Sequence, residues 1–186
     1  MILAFDLSST VVGYSIFDKE YNLIKLSFEK LIGKTILEKA EYLENFINSL
    51  LQEFPITEFV IEDRLKNFQK GKSSDEVILT LGFINVFGQY IIYKHRGIEI
   101  TGLNVRHARA LVFPGFHKIA RASKMLEEKE LAFEFARKIL GESYFTKRII
   151  TKGKDKEKEV YTTECGDMTD SYILGKAYII EKYGRF

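Results

Sequence analysis

The order of its predicted elements places this chain in the α/β class. Three observations carry that expectation. Short apolar runs bounded by turn residues recur from the first residue onward. Between them the hydrophobic period lengthens to that of a helix, first over Thr35 to Phe54. The resulting order is β-β-β-α-β-α-β-α-hairpin-α, within 186 residues, a length suited to one domain.

Each element has its own signal. Met1 to Leu7 is an apolar run of the kind a buried strand shows. Ser8 to Thr10 turn the chain into a second strand, Val11 to Phe17, and Asp18 to Asn22 turn it into a third, Leu23 to Phe28. These three read as an antiparallel meander. In the first helix Ile36, Ala40, Leu43, Phe46, Ile47, Leu50 and Leu51 share a face, and Pro55 closes it. A compact strand, Glu58 to Ile61, ends at Glu62, and the polar stretch Asp63 to Ser74 reads as a loop. Asp75 to Tyr93 is a long apolar helix, followed by a strand at Ile98 to Leu103. A basic segment leads to a helix from about Lys124 to Leu140, with Leu131, Phe135 and Ile139 inward. Phe145 to Thr151 and Val160 to Thr163 read as two arms of a hairpin around a charged tip. Met168 to Lys182 is a final amphipathic helix.

Composition narrows the class of protein. Hydrophobic residues at 46% and aromatics at 13% exclude a disordered chain. Pro55 and Pro114 are the only prolines, so no Pro-rich linker is expected. Lys plus Arg number 28 against 26 acids, a net charge of +2 that excludes a supercharged tail but not a local basic patch. Cys165 is alone, so no internal disulfide forms, which suits a reducing compartment. The opening Met-Ile-Leu-Ala-Phe-Asp lacks the basic start of a signal peptide. Thr80, Asn85 and Gln89 interrupt the greasiest stretch before it reaches the ~20 residues of a membrane helix. A cytoplasmic protein with no membrane partner is expected.

Four acids carry the chemistry. Asp6 and Glu62 each end a strand, and face each other if those strands are parallel neighbours. Asp167 and Asp170 are three apart at the start of the last helix, about 5–6 Å apart at Cβ, where a helix tolerates anions. Clustered carboxylates repel unless a cation joins them. Oxygen ligands select Mg²⁺ or Mn²⁺, and two such ions roughly 4 Å apart activate water against a phosphodiester. The plainer alternative makes Asp6 and Glu62 polar strand ends and Asp167 a helix cap.

The ordered motifs tip that balance. Ile2-Leu-Ala-Phe-Asp6-Leu-Ser-Ser-Thr-Val-Val-Gly13-Tyr14 resembles the first motif of the RuvC-like Holliday junction resolvases, in the RNase H-like superfamily. Phe59-Val-Ile-Glu62 is similar to the second, and Thr80-Leu-Gly82-Phe matches a recurrent Leu-Gly. Glu128-Lys129-Glu-Leu resembles the lysine-bearing helix start, and Asp167-Met-Thr-Asp170 through Ala177 the last motif. The likeness spans nearly the whole chain. It implies a mixed five-stranded sheet flanked by helices, one nuclease domain over 1–186 and a hairpin insertion at about 145–163. It further implies a homodimer that cuts four-way DNA junctions by paired nicks, leaving 5′-phosphate and 3′-hydroxyl ends. Asp6, Glu62, Asp167 and Asp170 would hold two Mg²⁺ per active site, with Mn²⁺ able to substitute. Leu7-Ser8 replaces the Pro-Gly common in bacterial members, and Leu65 stands where they place an aromatic wedge. These departures point to a phage or poxvirus branch, and then to a host cytoplasm.

Candidate DNA contacts follow. Between Lys94 and Lys124 seven Lys or Arg face a single acid, Glu99. Of these Arg106, Arg109, Lys118, Arg121 and Lys124 are candidate phosphate contacts. Arg64, Lys66, Lys70 and Lys72, in the loop after Glu62, are placed to follow the substrate. Phe68 either splits a base step or packs under that loop. Lys129 is the candidate for stabilising charge on the scissile phosphate, with Lys124 as its rival. The stripe Ile78, Leu81, Ile84, Asn85 and Gln89 is either core or an interface to a second subunit. A ribonuclease of the same superfamily and an inactive branched-DNA binder are the competing readings. An actin-like kinase is excluded, because its duplicated domain exceeds this length.

Overall fold

In the computed structural model five strands form one mixed sheet in the order β3-β2-β1-β4-β5. The structure describes residues 1–63, 75–95, 97–122, 127–151 and 156–185, with the backbone alone for 75–78. Strands β1 (Ile2–Leu7), β2 (Val11–Phe17) and β3 (Leu23–Lys30) make the antiparallel meander. Helix α1 (Ile36–Glu53) opens on a capping box between Thr35 and Glu38, and crosses to β4 (Glu58–Glu62). The next elements are α2 (Asp75–Lys94), β5 (Glu99–Leu103), α3 (Val105–Val112), α4 (Phe116–Ala122) and α5 (Glu128–Leu140). A separate two-stranded hairpin, β6 (Lys147–Ile149) and β7 (Glu159–Tyr161), leads into α6 (Glu164–Tyr183). β1, β4 and β5 run parallel, as crossover connections through helices require.

Strand parity divides the core. Leu3, Phe5, Phe59 and Ile61 pack with Leu43, Ile47, Ile84 and Ile91 of α1 and α2. Ile2, Ala4 and Val60 point the other way, with Ile173, Leu174 and Ala177 of α6. Side chains alternate along a strand, so Asp6 and Glu62 belong with Ala4 and Val60 on the α6 face.

Three expectations need correction. The basic segment after β5 holds two helices; Asn104 accepts from the His107 N–H and caps the first, α3, where charge density hides the cap. Ile139 is exposed rather than inward, since Ala132 and Ala136 supply the buried face of α5. Helix α6 starts at Glu164, four residues before the expected Met168, and is buried nearly all round from Met168 to Ala177. Among the described residues no helix is long and apolar enough to cross a membrane.

Candidate active site

Asp6 sits at the carboxyl end of β1, where Phe5 pairs with Ile61 in parallel register, which sets Asp6 beside Glu62. Helix α6 brings the other two acids. It can lie this close to the sheet because small residues stand at the contact, Gly13 and Ser15 on β2 and Gly175 on α6. A Cβ on Gly13 would fall 2.2 Å from the Asp167 carbonyl carbon, and one on Gly175 would fall 2.2 Å from the Phe17 ring. Between those contacts Ser15 Oγ donates to the Ser171 carbonyl at 2.9 Å. The helix therefore runs along β2 with its first turn at Asp6, and Asp167 and Asp170 meet the strand-end acids.

Among the described residues, two cations stand among these acids. Lys129, at the start of α5, donates to Asp167 Oδ1 at 2.6 Å. Its Nζ lies 3.8 Å from Asp6 Oδ2 and 3.7 Å from Asp170 Oδ2. Arg109 is 7% exposed and donates from Nε and Nη2 to Asp170, at 2.8 to 3.1 Å. Its expected role as a DNA contact is thereby corrected: the guanidinium is committed to a buried carboxylate. The run of basic residues around it concealed the helical spacing that turns Arg109, beside Ala108, toward α6. The backbone of Glu62 is braced as well. Asn85 Nδ2 donates to the Glu62 carbonyl at 3.1 Å, and Gln89 Nε2 donates to Asn85 Oδ1 at 2.7 Å. Of the stripe considered for an interface, Ile84 and Asn85 are thus buried, and Asn85 serves the site.

The electrostatics are those of a crowded anion site. Burial pushes the Asp6 carboxyl well above the usual range, and the charges of Asp170, Glu62 and Asp167 add to it against Lys129. Burial likewise raises Glu62, with Asp170 adding and Arg109 and Lys129 opposing. Against its own burial, Asp6, Asp170 and Asp167 hold the Lys129 ammonium protonated. Oxygen donors of this kind suit a hard divalent cation, and the upward shifts of Asp6 and Glu62 mark the crowded negative charge such a cation would neutralise. Among the described residues, no three acid, histidine or cysteine side chains already close around one ion. The Lys129 amine stands between three of the acids instead.

Other expected residues fall at varying distances from the site. Arg106 is exposed and paired with Glu128 at 3.2 Å. Lys118 and Arg121 are exposed on α4. Arg64, Lys66, Phe68, Lys70, Lys72 and Lys124, with the hairpin tip at 152–155, lie outside the described residues. Cys165 is buried, with Sγ 3.4 Å from the Thr146 carbonyl, and ties the hairpin base to α6. An open groove of about 590 Å³ between α1 and α2, lined by Lys34, Lys39 and Phe83 among others, contains none of the four acids.

No family model matches the sequence, and no curated protein matches it at a significant level. Solved structures do match the fold. Thermus thermophilus RuvC in complex with a Holliday junction substrate superposes with a TM-score of 0.60 at 10% identity, over 97% of this chain and 95% of that one. A second Thermus thermophilus RuvC structure gives 0.60 at 11% identity, over 97% and 95%. Ydc2, the yeast mitochondrial Holliday junction resolvase, gives 0.54 at 17% identity, over 96% of this chain and 77% of that one. The α/β fold, a mixed five-stranded sheet flanked by helices, is therefore one shared with these RuvC structures.

Proposed function

We propose that this chain is a metal-dependent endodeoxyribonuclease that resolves four-way DNA junctions by paired nicks leaving 5′-phosphate and 3′-hydroxyl ends. The observation that carries this reading is the convergence of Asp6, Glu62, Asp167 and Asp170 from three elements at one end of the sheet, on a RuvC-type fold. A protein that merely bound DNA would gain nothing from four carboxylates turned toward phosphate. These acids would hold two Mg²⁺, with Mn²⁺ as a substitute; when bound, the ions would make a coordinated water more acidic and stabilise charge at the phosphate. Asn85 and Gln89 keep the Glu62 backbone in place, and Arg109 fixes the rotamer of Asp170. Among the described residues, Lys129 is the cation with an exposed side chain that lies nearest the acids, and it is placed to meet a phosphate oxygen. Lys118, Arg121 and the cations after Glu62 supply the electrostatic footing for the DNA.

Paired incision needs two sites, and a homodimer is the partner proposed. Its support is an apolar stripe on the outer face of α2. Leu79, Phe83, Val86, Tyr90 and Tyr93 are 40% to 76% exposed at alternating spacings of four and three residues. A place in the phage or poxvirus branch rests on the sequence departures alone.

The test is a gel assay with Mg²⁺ on synthetic junctions, flaps, forks and RNA–DNA hybrids. Wild type should convert the four-way junction to nicked duplexes. Asp6→Asn should bind it, with affinity falling as salt rises, and leave it intact. Degradation of the hybrid with the junction untouched would make this a ribonuclease instead.

A further inference from the structure

The two cations among the acids differ in what decides whether a cation can leave. Arg109 is buried and grips both oxygens of Asp170 with a rigid planar fork. Lys129 arrives from α5 on a flexible stem, with its side chain 45% exposed. It makes one hydrogen bond, to Asp167, and its amine lies within 4.0 Å of carboxylates on two other positions, Asp6 and Asp170. A monovalent amine thus occupies ground from which three carboxylates are reached at once. Local space favours that placement. Gly166 lies in the first turn of α6, and a Cβ there would come 2.6 Å from Lys129 Cε. Its φ is not in the left-handed region, so the backbone does not call for glycine. What the glycine provides is a lane for the lysine stem.

We propose that Lys129 is an exchangeable internal cation, holding the acid cluster together without metal and yielding its place to a divalent ion, while Arg109 stays on Asp170 throughout. Rejected by the ion but still tethered beside it, the amine becomes available to a phosphate oxygen. This inference rests on the metal-nuclease reading above. It adds that the same lysine competes with the metal for the same carboxylates.

Calorimetric titration of Mn²⁺ into the full chain tests it, with circular dichroism to check folding. Lys129→Met removes the competitor. Gly166→Ala keeps the charge but closes the lane, and the flexible stem can swing aside. Lys138→Met, an exposed lysine on the same helix, is the control for net charge. An opposite charge at this range shifts a carboxylate's affinity for a cation by tenfold or more. Lys129→Met and Gly166→Ala should therefore each bind Mn²⁺ roughly tenfold tighter than wild type, and Lys138→Met should match wild type. Equal tightening by Lys138→Met and Lys129→Met, or no tightening by a folded Gly166→Ala, overturns the exchange. If Gly166→Ala does not fold, the comparison of the two lysine variants decides. Wild type that binds no Mn²⁺ overturns the nuclease reading together with this one; wild type that binds Mn²⁺ keeps that reading whatever the variants do.

Discussion

Asp6 and Glu58 show how environment decides what a carboxylate does. Both sit on even positions of parallel neighbours and face α6. Burial pushes both upward. At Glu58 the hydrogen bonds from Tyr178, Tyr183 and Lys182 outweigh burial and leave the carboxyl below its usual range. Glu58 therefore stabilises the fold above the usual carboxylate range, and that contribution is lost as pH falls through its lowered value. At Asp6 the neighbours are acids, and the shift is upward. The folded chain then holds this proton more tightly than the unfolded one, so metal-free stability falls as pH rises through the window between the usual value and the raised one. Two outcomes follow at this scale. Asp6→Asn should raise the thermal midpoint in chelator by roughly 2–4 °C, the shift of about 1 kcal/mol in a domain of this size, and should lose the further rise that Mn²⁺ gives wild type. Mn²⁺ affinity, measured by calorimetry from acid upward, should set in above the pH at which an ordinary carboxylate ionises, because the ion needs Asp6 deprotonated.

Helix α6 is the element on which the site depends. Its N-terminal acids are anchored from outside: burial opposes it, but the Glu164 carboxyl is pulled down to about 2, first by its own backbone N–H and then by Lys30 at 2.9 Å. The close approach to β2 fixes how far Asp167 and Asp170 stand from Asp6. Gly13→Ala would drive a methyl group into backbone at Asp167, which cannot move alone. It should cost about 1–3 kcal/mol in chemical denaturation and weaken Mn²⁺ binding as well. Gly175→Ala strikes the buried Phe17 ring two turns further along and should cost a similar amount while leaving Mn²⁺ affinity unchanged. Equal loss of metal binding in both would mean that α6 shifts as a rigid body. The period of α6 shows why its start was misjudged from sequence. The first turn, Glu164 to Asp167, is polar or small and carries no apolar repeat, so the helical signal begins only at Met168.

Across the whole molecule the sheet has two unlike ends. The carboxyl ends of β1 and β4 hold the acid site, and the amino ends of β4 and β5 are pinned to the end of α6 by Glu58, Glu99 and Lys182. The face away from α6 is covered by α1 and α2, and α2 leaves its apolar stripe outward. That stripe is not the one singled out from sequence. Ile84 and Asn85 turn inward, and the outward set is displaced by one or two positions around the helix. A helix apolar on both faces has no clean period, so the pattern did not say which face meets the core. Phe83→Glu should shift the protein from dimer to monomer in analytical ultracentrifugation while changing stability by no more than about 0.5 kcal/mol, as exposed substitutions do. A wild type already monomeric at working concentration would overturn the homodimer, and a variant still dimeric would place the interface elsewhere.

The strands, the first two helices and the four acids were legible in the linear chain. Period, turn chemistry and strand parity are local properties, and β2 and β4 end where their residue patterns end. Motif order carried the expectation of a mixed sheet. Tertiary structure decided which charges share a site. Arg109 and Lys129 look alike in a basic count, yet one is locked to Asp170 and the other is held by a single hydrogen bond beside Asp6. Only packing assigns such partners, because they lie 61 and 38 residues from the acids they bond. Gly13 is marked in sequence only as a motif position, and Gly166 is not marked at all. Their meaning appears when α6 is laid on the sheet and there is no room for a Cβ.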